Sequence, residues 1–423
     1  MSLFQKRPLW LKILLCLLLA MGLGVVCYVV RKKGYQDLMN LELDAIRKAG
    51  QPITPQELDA WYPSVPDEDN AARWYEKAFP QFARIDEKSS ERLPLIGTGE
   101  WPPRREPLSP ELIRDIEKYL SSNKAAMSLL AEGGSRNRCR YSLNIQKGLD
   151  YTVIWPTART AIESLLLQAM LFVERGESRQ ALASIDLAVR LSTTLTQVPF
   201  MCYADSGNRC LLDAQDMLER VMSRFSLSPE DLDRVLDTWV LLPDLRQMQR
   251  VFAGDRCWGL LAFDDVLQQV QSKSPGQSSF YRLLFWEKDK LEYLKLMKRV
   301  VHLGDETLSF SERAKEWSMA CNDAEKLSGR HILTKMLFPA AGWHVVAEFN
   351  VLARRRAIQA AVAVERDRLA KGSLPAELED IIPEFLDAMP QDPFNEGPLL
   401  YKKLAKGYVI YCARKDVSFT VER

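Results

Sequence analysis

The first 50 residues carry the strongest hydrophobic pattern of the chain. Residues 9–30 read LWLKILLCLLLAMGLGVVCYVV, and no charged residue occurs from Ile13 to Val30. At about 1.5 Å per residue, this uncharged part forms roughly 27 Å of helix, close to the ~30 Å hydrocarbon core of a bilayer. The apolar run continues well beyond a candidate cleavage site at residues 20–22. A retained transmembrane anchor over residues 9–30 is therefore favoured over a cleaved signal peptide.

Residues 31–108 are expected to form a stalk, short helices and a proline-rich loop. Apolar positions recur at helical spacing between residues 35 and 48, which extends the anchor helix beyond the membrane. Thr54 and Glu57 have the spacing of a capping box, which predicts the start of a second helix. Residues 87–107 contain four prolines and two glycines without periodicity, as is typical of a surface loop.

Residues 109–371 are predicted to form an α-helical body. Helical periodicity recurs through this part, with breaks at residues 242–243 and 274–276. The longest helical run, residues 340–370, carries an arginine triplet at residues 354–356, which we expect on a solvated face with one internal ion pair.

Within this body, residues 158–191 resemble one tetratricopeptide-type helical hairpin. The small, aromatic, turn-glycine, small, large and small positions of that pattern are occupied by Ala169, Phe172, Gly176, Ala181, Ile185 and Ala188. Small residues let two antiparallel helices approach closely, and Gly176 permits the turn between them. A shift by the repeat length of about 34 residues gives no second match. An ordinary hairpin in an irregular bundle and a degenerate repeat superhelix are therefore both consistent with the sequence.

The pattern changes from helical to alternating in residues 372–423. A short helix is predicted over residues 373–386, and strands over residues 399–403 and 408–412, with 416–421 as a candidate third strand. We therefore expect a C-terminal helix plus a β-hairpin module. The predicted fold class is mainly α, with an N-terminal transmembrane helix, an irregular helical-hairpin body and this small module.

The start of the C-terminal module resembles the C-terminal part of type II secretion pseudopilins. The positions of that family's pattern are occupied here by Pro375, Leu378, Pro390, Asp392, Pro393, Phe394, Pro398 and Tyr401. Asp392 and Pro393 are expected to open a turn, and Phe394 to seat it on the strand pair. The prepilin cleavage motif is missing before Leu9, and residues 413–416 replace the family's acidic calcium cluster. Neither pilus assembly nor bound calcium is therefore inferred.

The whole chain also resembles a group of uncharacterised bacterial single-span helical proteins. The likeness is carried by Val65-Pro66, Asn70-Ala71-Ala72, Cys139-Arg140-Tyr141 and Asp392-Pro393-Phe394. This resemblance implies the anchor and the helical fold. It implies no activity, because none is established for the group.

Charge and composition leave few kinds of chemistry open. The formal net charge is +1, with acidic and basic residues interspersed, so nucleic acid is not expected as a partner. His302, His331 and His344 have no second histidine three or four residues away, so no metal site is expected. No nucleophile elbow or phosphate-binding loop occurs, and the sequence indicates neither catalytic residues nor a cofactor.

The six cysteines beyond the anchor are scattered along the chain. Such a distribution is typical of buried free thiols. If a disulfide forms, the pair that the sequence favours is Cys202 with Cys210.

The sequence is best explained by a membrane-anchored scaffold or adaptor protein that recruits another protein on a concave helical surface. An accessory component of an envelope secretion or pilus-like machine and an enzyme of unrecognised mechanism are the alternatives. We expect a single-pass protein of the bacterial cytoplasmic membrane, held by residues 9–30 as a signal anchor. Because the tail of residues 1–8 is short, the bulk of the chain is expected outside the cytoplasm. The oligomeric state is not indicated.

Overall fold

The described chain is mainly α-helical and ends in a small antiparallel sheet, which confirms the predicted fold class. A computed structural model describes residues 9–150, 152–240, 246–273, 281, 284–338, 341–414 and 416–423. The helices are α1 (Leu9–Lys48), α2 (Pro55–Trp61), α3 (Ala72–Ala78), α4 (Glu87–Ser90), α5 (Pro110–Ser122), α6 (Lys124–Gly134), α7 (Trp155–Glu174), α8 (Ser178–Thr196), α9 (Met201–Arg224), α10 (Pro229–Val240), α11 (Arg246–Lys273), α12 (Trp286–His302), α13 (Phe310–Lys326), α14 (Ile332–Leu337) and α15 (Ala341–Lys371). The strands are β1 (Leu400–Leu404), β2 (Gly407–Tyr411) and β3 (Ser418–Glu422). The predicted tail at residues 1–8 and the predicted breaks at residues 242–243 and 274–276 lie outside the described residues.

Helix α1 is one continuous helix of 40 residues, so the predicted extension beyond the anchor is confirmed. Its apolar N-terminal part is uncovered by the rest of the described chain and is long enough to cross a membrane. Its C-terminal part is not a free stalk, because it contacts α12, and Met39 and Ile46 are buried. Lys32 pairs with Glu287 of α12 at 3.0 Å. The second half of α1 therefore belongs to the body.

A second stretch, Ile332–Lys371, also has the length and apolarity of a membrane span. It includes α15, which contacts α9, α10 and the C-terminal sheet. Ala360, Ala361 and Val364 are completely buried in these contacts. Helix α15 is therefore the central helix of the body.

Helices α7 and α8 form a hairpin at the position of the tetratricopeptide-like pattern, and α9 packs against both. Gly176 lies in the turn with φ of 78°, a left-handed conformation that favours glycine. The other matched residues are buried except for one that is half-buried, and they are Ala169, Ala181, Ile185, Ala188 and the half-buried Phe172. The observed helices extend the hairpin beyond the predicted residues 158–191 at both ends.

The arginine triplet of α15 does not lie on a solvated face, so this part of the prediction was wrong, whereas the expected ion pair is present. All three side chains are half-buried. Arg354 pairs with Asp216 of α9, and Nη1 of Arg356 donates to the carbonyl of Gln391 at 2.8 Å. Because α15 is surrounded by α9, α10, α13 and the sheet, its arginines connect neighbouring elements.

The C-terminal part lacks the predicted helix but contains the predicted strands, including the candidate third strand. Residues 373–386 contain only a short 3-10 turn at Leu378–Ile381, because Pro375 and Pro383 lack the amide hydrogens of a continuous α-helix. The sheet has three antiparallel strands in the order β1, β2, β3, so the candidate third strand is present. The hydroxyl of Tyr401 in β1 donates to the carbonyl of Pro375 at 3.2 Å.

The loop before the sheet is organised by a buried carboxylate. Its three central residues are buried, namely Asp392, Pro393 and Phe394. Oδ1 of Asp392 accepts from the amide of Phe394 at 2.9 Å, and Oδ2 accepts from the amide of Ala413 at 2.7 Å. Phe394 packs against Phe310 and Phe349, with ring centroids 4.9 and 6.0 Å away. It was predicted to seat the turn on the strand pair, whereas the ring contacts observed are with the two helical aromatic residues.

Polar contacts join the sheet to the helical body. The amide of Thr420 donates to Oε1 of Glu219 in α9 at 2.7 Å. Arg423 pairs with Glu365 of α15 at 2.6 Å. Burial raises the pKa of Glu219 to about 7, so this carboxyl depends on its partners to stay charged.

The favoured cysteine pair does not form a disulfide. Cys202 and Cys210 lie on the same helix, α9, and both are free thiols. Their positions are about 12 Å apart along the helix axis, whereas a disulfide needs Cα atoms within about 7 Å.

Candidate functional site

A groove runs along the outer side of α8, between α10 and the loop that follows α6. It consists of two adjoining cavities of about 600 and 470 Å³. Both cavities are lined by Asp186, Arg190 and Thr238, so they form one surface, which we call the α8 groove. The lining positions extend from Ala183 of α8 to Gln197, the residue directly after the helix, or about 21 Å at the helical rise.

The centre of the α8 groove is organised by Asp186. Its Oδ2 accepts a hydrogen bond from Nε of Arg190 at 3.0 Å, and its Oδ1 accepts one from the buried hydroxyl of Thr238 at 2.9 Å. Asp186 therefore holds α10 against α8. The same contacts fix the exposed guanidinium group of Arg190 in the groove, where it can reach a ligand.

The end of the groove beside α10 is acidic. Glu230, Asp233 and Asp237 line it and are exposed, with Arg234 among them. Asp233 is engaged by an ion pair with Arg366. Hydrogen bonds at the start of α10, from its own amide and from the preceding serine hydroxyl, lower the pKa of Glu230. The carboxylate of Glu230 is therefore charged at neutral pH.

The opposite end of the groove is basic. Arg136 and Arg138 line it from the loop after α6. The guanidinium group of Arg136 lies over the ring of Trp74, 3.5 Å from the centroid, and donates to the carbonyl of Glu132 at 2.7 Å. Arg138 is exposed and donates to the carbonyl of Ser64 at 3.2 Å. The α8 groove thus carries opposite charges at its two ends.

Asn70 fixes the wall that carries the basic end. Its Nδ2 donates to the carbonyl of Arg140 at 2.9 Å. Its Oδ1 accepts from the amides of Arg140 at 2.9 Å and Ala72 at 3.1 Å. Beside it, the amide of Ala71 donates to the carbonyl of Arg138 at 2.9 Å. One side chain therefore joins the start of α3 to a segment that lies 70 residues later in the chain.

Two short motifs that carry the resemblance to single-span proteins meet at this wall, namely residues 70–72 and 139–141. Cys139 lines the groove. Burial raises the pKa of its thiol to about 12, so the thiol stays protonated at neutral pH. The hydroxyl of Tyr141 lies 2.5 Å from that of Thr194 in α8. The motifs therefore have a structural role in shaping the groove.

The residues of the helical-hairpin pattern lie behind the groove. Ala181, Ile185 and Ala188 are buried on the inner side of α8, whereas Asp186 and Arg190 line its outer side. The helical-hairpin pattern therefore predicted the packing of α7 against α8 but not the groove on the outer side of α8. A polar pair at positions i and i+4 occurs on many exposed helices, so the only sequence signal for this site was unspecific.

A second cluster of titratable groups joins α9, α11 and α15. Nδ1 of His344 lies 2.5 Å from Asp205, and Nε2 lies 3.5 Å from Glu348. Burial lowers the pKa of His344, but the hydrogen bond to Asp205 and the charges of Glu348 and Asp205 outweigh it, so the net shift is upward. Burial raises the pKa of Asp255 to about 7. His344 is completely buried against Phe252, whereas Asp205 is exposed, so this cluster extends from the interior between the three helices to the surface of α9.

Within the described ranges, no group of three or more histidine, cysteine or acidic side chains has the geometry to hold a metal ion. Comparisons with protein-family models, with curated proteins and with solved structures found no match for this chain. The α8 groove and α1 are therefore the features of the chain that bear on its function.

Proposed function

We propose that this protein is a membrane-anchored helical protein that binds an extended segment of another protein in the α8 groove. The observation that carries this proposal is the order of charges along the groove. Glu230 and Asp237 lie at one end, and Arg136 and Arg138 at the other. At about 3.3 Å per residue, the ~21 Å from Ala183 to Gln197 matches about six residues of extended chain.

The chemistry of the groove favours a protein segment over a small molecule. Pockets for small molecules are concave and mostly apolar, whereas this groove is open and lined by side chains of both charges. Complementary charges at an interface increase the rate of association and fix the register of the partner. The expected ligand therefore has basic residues towards α10 and acidic residues towards Arg136 and Arg138.

Helix α1 supports the membrane part of the proposal. Its uncharged residues 13–30 leave a long apolar surface uncovered. A soluble protein rarely exposes so large a continuous apolar surface, and a bilayer would cover it over the full length of the helix.

The proposal is tested by site-specific photo-crosslinking of the full chain in intact membranes. A photoreactive residue replaces Ala183 in the groove or, as a matched control, Ser318 on α13. Both are small, exposed residues on helices. The proposal requires a protein that crosslinks to position 183 and not to position 318.

Two charge reversals make this test specific for the groove. Arg138→Glu and Asp237→Lys are each expected to reduce the crosslink from position 183 several-fold, since charges at the edge of an interface steer association. Lys402→Glu and Glu91→Lys, which reverse exposed charges elsewhere, should leave it unchanged. Equal crosslinking from positions 183 and 318, or a crosslink that survives both groove reversals, would refute the proposal.

A further inference from the structure

We infer that an anionic phospholipid binds at the junction between α1 and the body, with its phosphate in a basic cavity. This inference rests on the membrane anchoring proposed above. The cavity has a volume of about 400 Å³ and is lined by Arg31 of α1, Lys288 of α12 and Arg330 of the loop before α14. The described residues that line it include these three cations and no acid. We call this cavity the basic cup.

Aromatic neighbours hold two of the three cations in position. Nε and Nη2 of Arg31 lie 3.2 Å from the hydroxyl of Tyr35. Cζ of Arg330 lies 5.3 Å from the centroid of the Phe285 ring. Because these guanidinium groups are positioned before a ligand arrives, binding costs less conformational entropy. Guanidinium groups also donate paired hydrogen bonds to phosphate oxygens.

A smaller cavity of about 300 Å³ adjoins the basic cup and extends along α1 to Gly24. Its end beside the apolar part of α1 is lined by Gly24, Cys27 and Tyr28. The end that shares Arg31 and Lys288 with the cup is also lined by the ion pair of Lys32 with Glu287. A Cβ atom added at Gly24 would meet nothing within 4 Å, so the space beside this glycine is open. An acyl chain fits along this crevice while its phosphate occupies the cup.

The position of the cup along α1 matches the height of lipid phosphates. The uncharged part of the helix ends at Val30, and Arg31 is the next residue. Basic pockets beside a transmembrane helix at this level bind anionic head groups. Ile332 and Met336, one helical turn apart on α14, are 54% and 66% exposed. Since Ile332 directly follows His331, which also lines the cup, these apolar side chains are placed to enter the head-group region.

A phospholipid explains both cavities, whereas a free phosphate ion would use the cup alone. Binding of a phospholipid is distinguished from binding of a free phosphate ion by the substitution Gly24→Leu. This substitution fills the crevice and leaves the three cations of the cup in place. This substitution should weaken the binding of a phospholipid and leave the binding of inorganic phosphate unchanged.

The inference is tested by native mass spectrometry of the full chain in detergent micelles. The chain is titrated with phosphatidylglycerol, with phosphatidylcholine of the same acyl chains, and with inorganic phosphate. We expect a preference for phosphatidylglycerol that falls about fivefold for each neutralised cation, and about thirtyfold in the double variant Lys288→Gln, Arg330→Gln. The control Lys402→Gln, Lys403→Gln changes two exposed lysines of β1 and should bind as the unchanged chain does.

Three outcomes would overturn the inference. The first is equal affinity for phosphatidylglycerol and phosphatidylcholine. The second is unchanged phosphatidylglycerol binding in the variant Lys288→Gln, Arg330→Gln. The third is that inorganic phosphate binds as tightly as phosphatidylglycerol and that Gly24→Leu does not weaken lipid binding. Extraction of membranes at alkaline pH separates this result from the anchoring. The cup variant should stay in the membrane fraction because α1 is intact, whereas release of the unchanged chain would contradict the proposed anchor itself.

Discussion

Replacing Asn70 by alanine tests whether one side chain holds the wall of the α8 groove. The substitution removes three hydrogen bonds, two to the backbone of Arg140 and one to the amide of Ala72. At a net contribution of about 1 kcal/mol each, their complete loss costs about 3 kcal/mol. Asn70 is half-buried, so water replaces part of the lost bonding. We therefore expect the free energy of unfolding to fall by about 2 kcal/mol.

Two measurements check this expectation. Urea unfolding of the full chain in detergent gives the loss of global stability. Amide hydrogen exchange shows where the loss occurs, because local opening governs exchange. The amides of residues 136–141 should exchange about thirtyfold faster if about 2 kcal/mol of local stability is lost.

Related variants give the scale of the effect. Asn322→Ala removes an asparagine side chain from an exposed position of α13 and should be nearly neutral. Asn70→Asp keeps the acceptor for two amides but sets a second oxygen against the carbonyl of Arg140, so it should restore stability only in part. If Asn70→Ala behaves like Asn322→Ala, or if exchange at residues 136–141 is unchanged, Asn70 does not hold the groove wall.

Three further perturbations test other parts of the fold. Gly254→Ala should lower the melting temperature by several degrees. The added Cβ would lie 1.7 Å from the carbonyl oxygen of Pro199, so the backbone must move. An unchanged melting temperature would contradict this close approach. Asp392→Ala leaves two loop amides without their acceptor and should cost about 3 kcal/mol in urea unfolding, whereas a loss below about 1 kcal/mol would argue against its role. Burial raises the pKa of Asp255 from 3.8 to about 7, so the folded chain keeps a proton that the unfolded chain releases, and the stability from this group is lost as pH rises from about 4 through 7. Asp255→Asn should therefore gain up to about 2 kcal/mol relative to the unchanged chain between pH 4 and pH 8, allowing for partial exposure, and a pH-independent difference in thermal unfolding would refute this.

Local signals in the sequence mark where two of the described helices, α2 and α5, begin. Thr54 accepts a hydrogen bond from the amide of Glu57 at 3.1 Å, and Ser109 accepts one from the amide of Leu112 at 3.1 Å. Such caps depend on residues three positions apart, so they can be recognised without tertiary structure. The third strand was also indicated by its alternation. The docking of α1 was not, because the partner of Lys32 lies on α12, far along the chain.

The candidate site could not be predicted, because it also depends on contacts between residues that are far apart in the sequence. The groove wall depends on contacts between Asn70 and Arg140, which the sequence shows only as parts of two separate short motifs. The groove itself needs α10 to lie beside α8, and the sequence contains no local signal for that packing. For the arginine triplet, the sequence led to a wrong prediction of exposure. Charged residues normally lie on the solvent-exposed surface, whereas Arg354 is half-buried against Asp216.

The continuity of α1 determines how the α8 groove would be presented above a bilayer. The helix has no break between its apolar part and the part beside α12, where Glu42 pairs with Lys298 at 3.1 Å. A helix of 40 residues is about 60 Å long, so the body would be carried on a rigid support and not on a flexible tether. The groove would stay at a constant height above the bilayer while the protein rotates about the membrane normal. A partner would then reach the groove by diffusion parallel to the membrane plane. A soluble fragment that begins after Lys48 would lose a packed helix of the body together with the anchor.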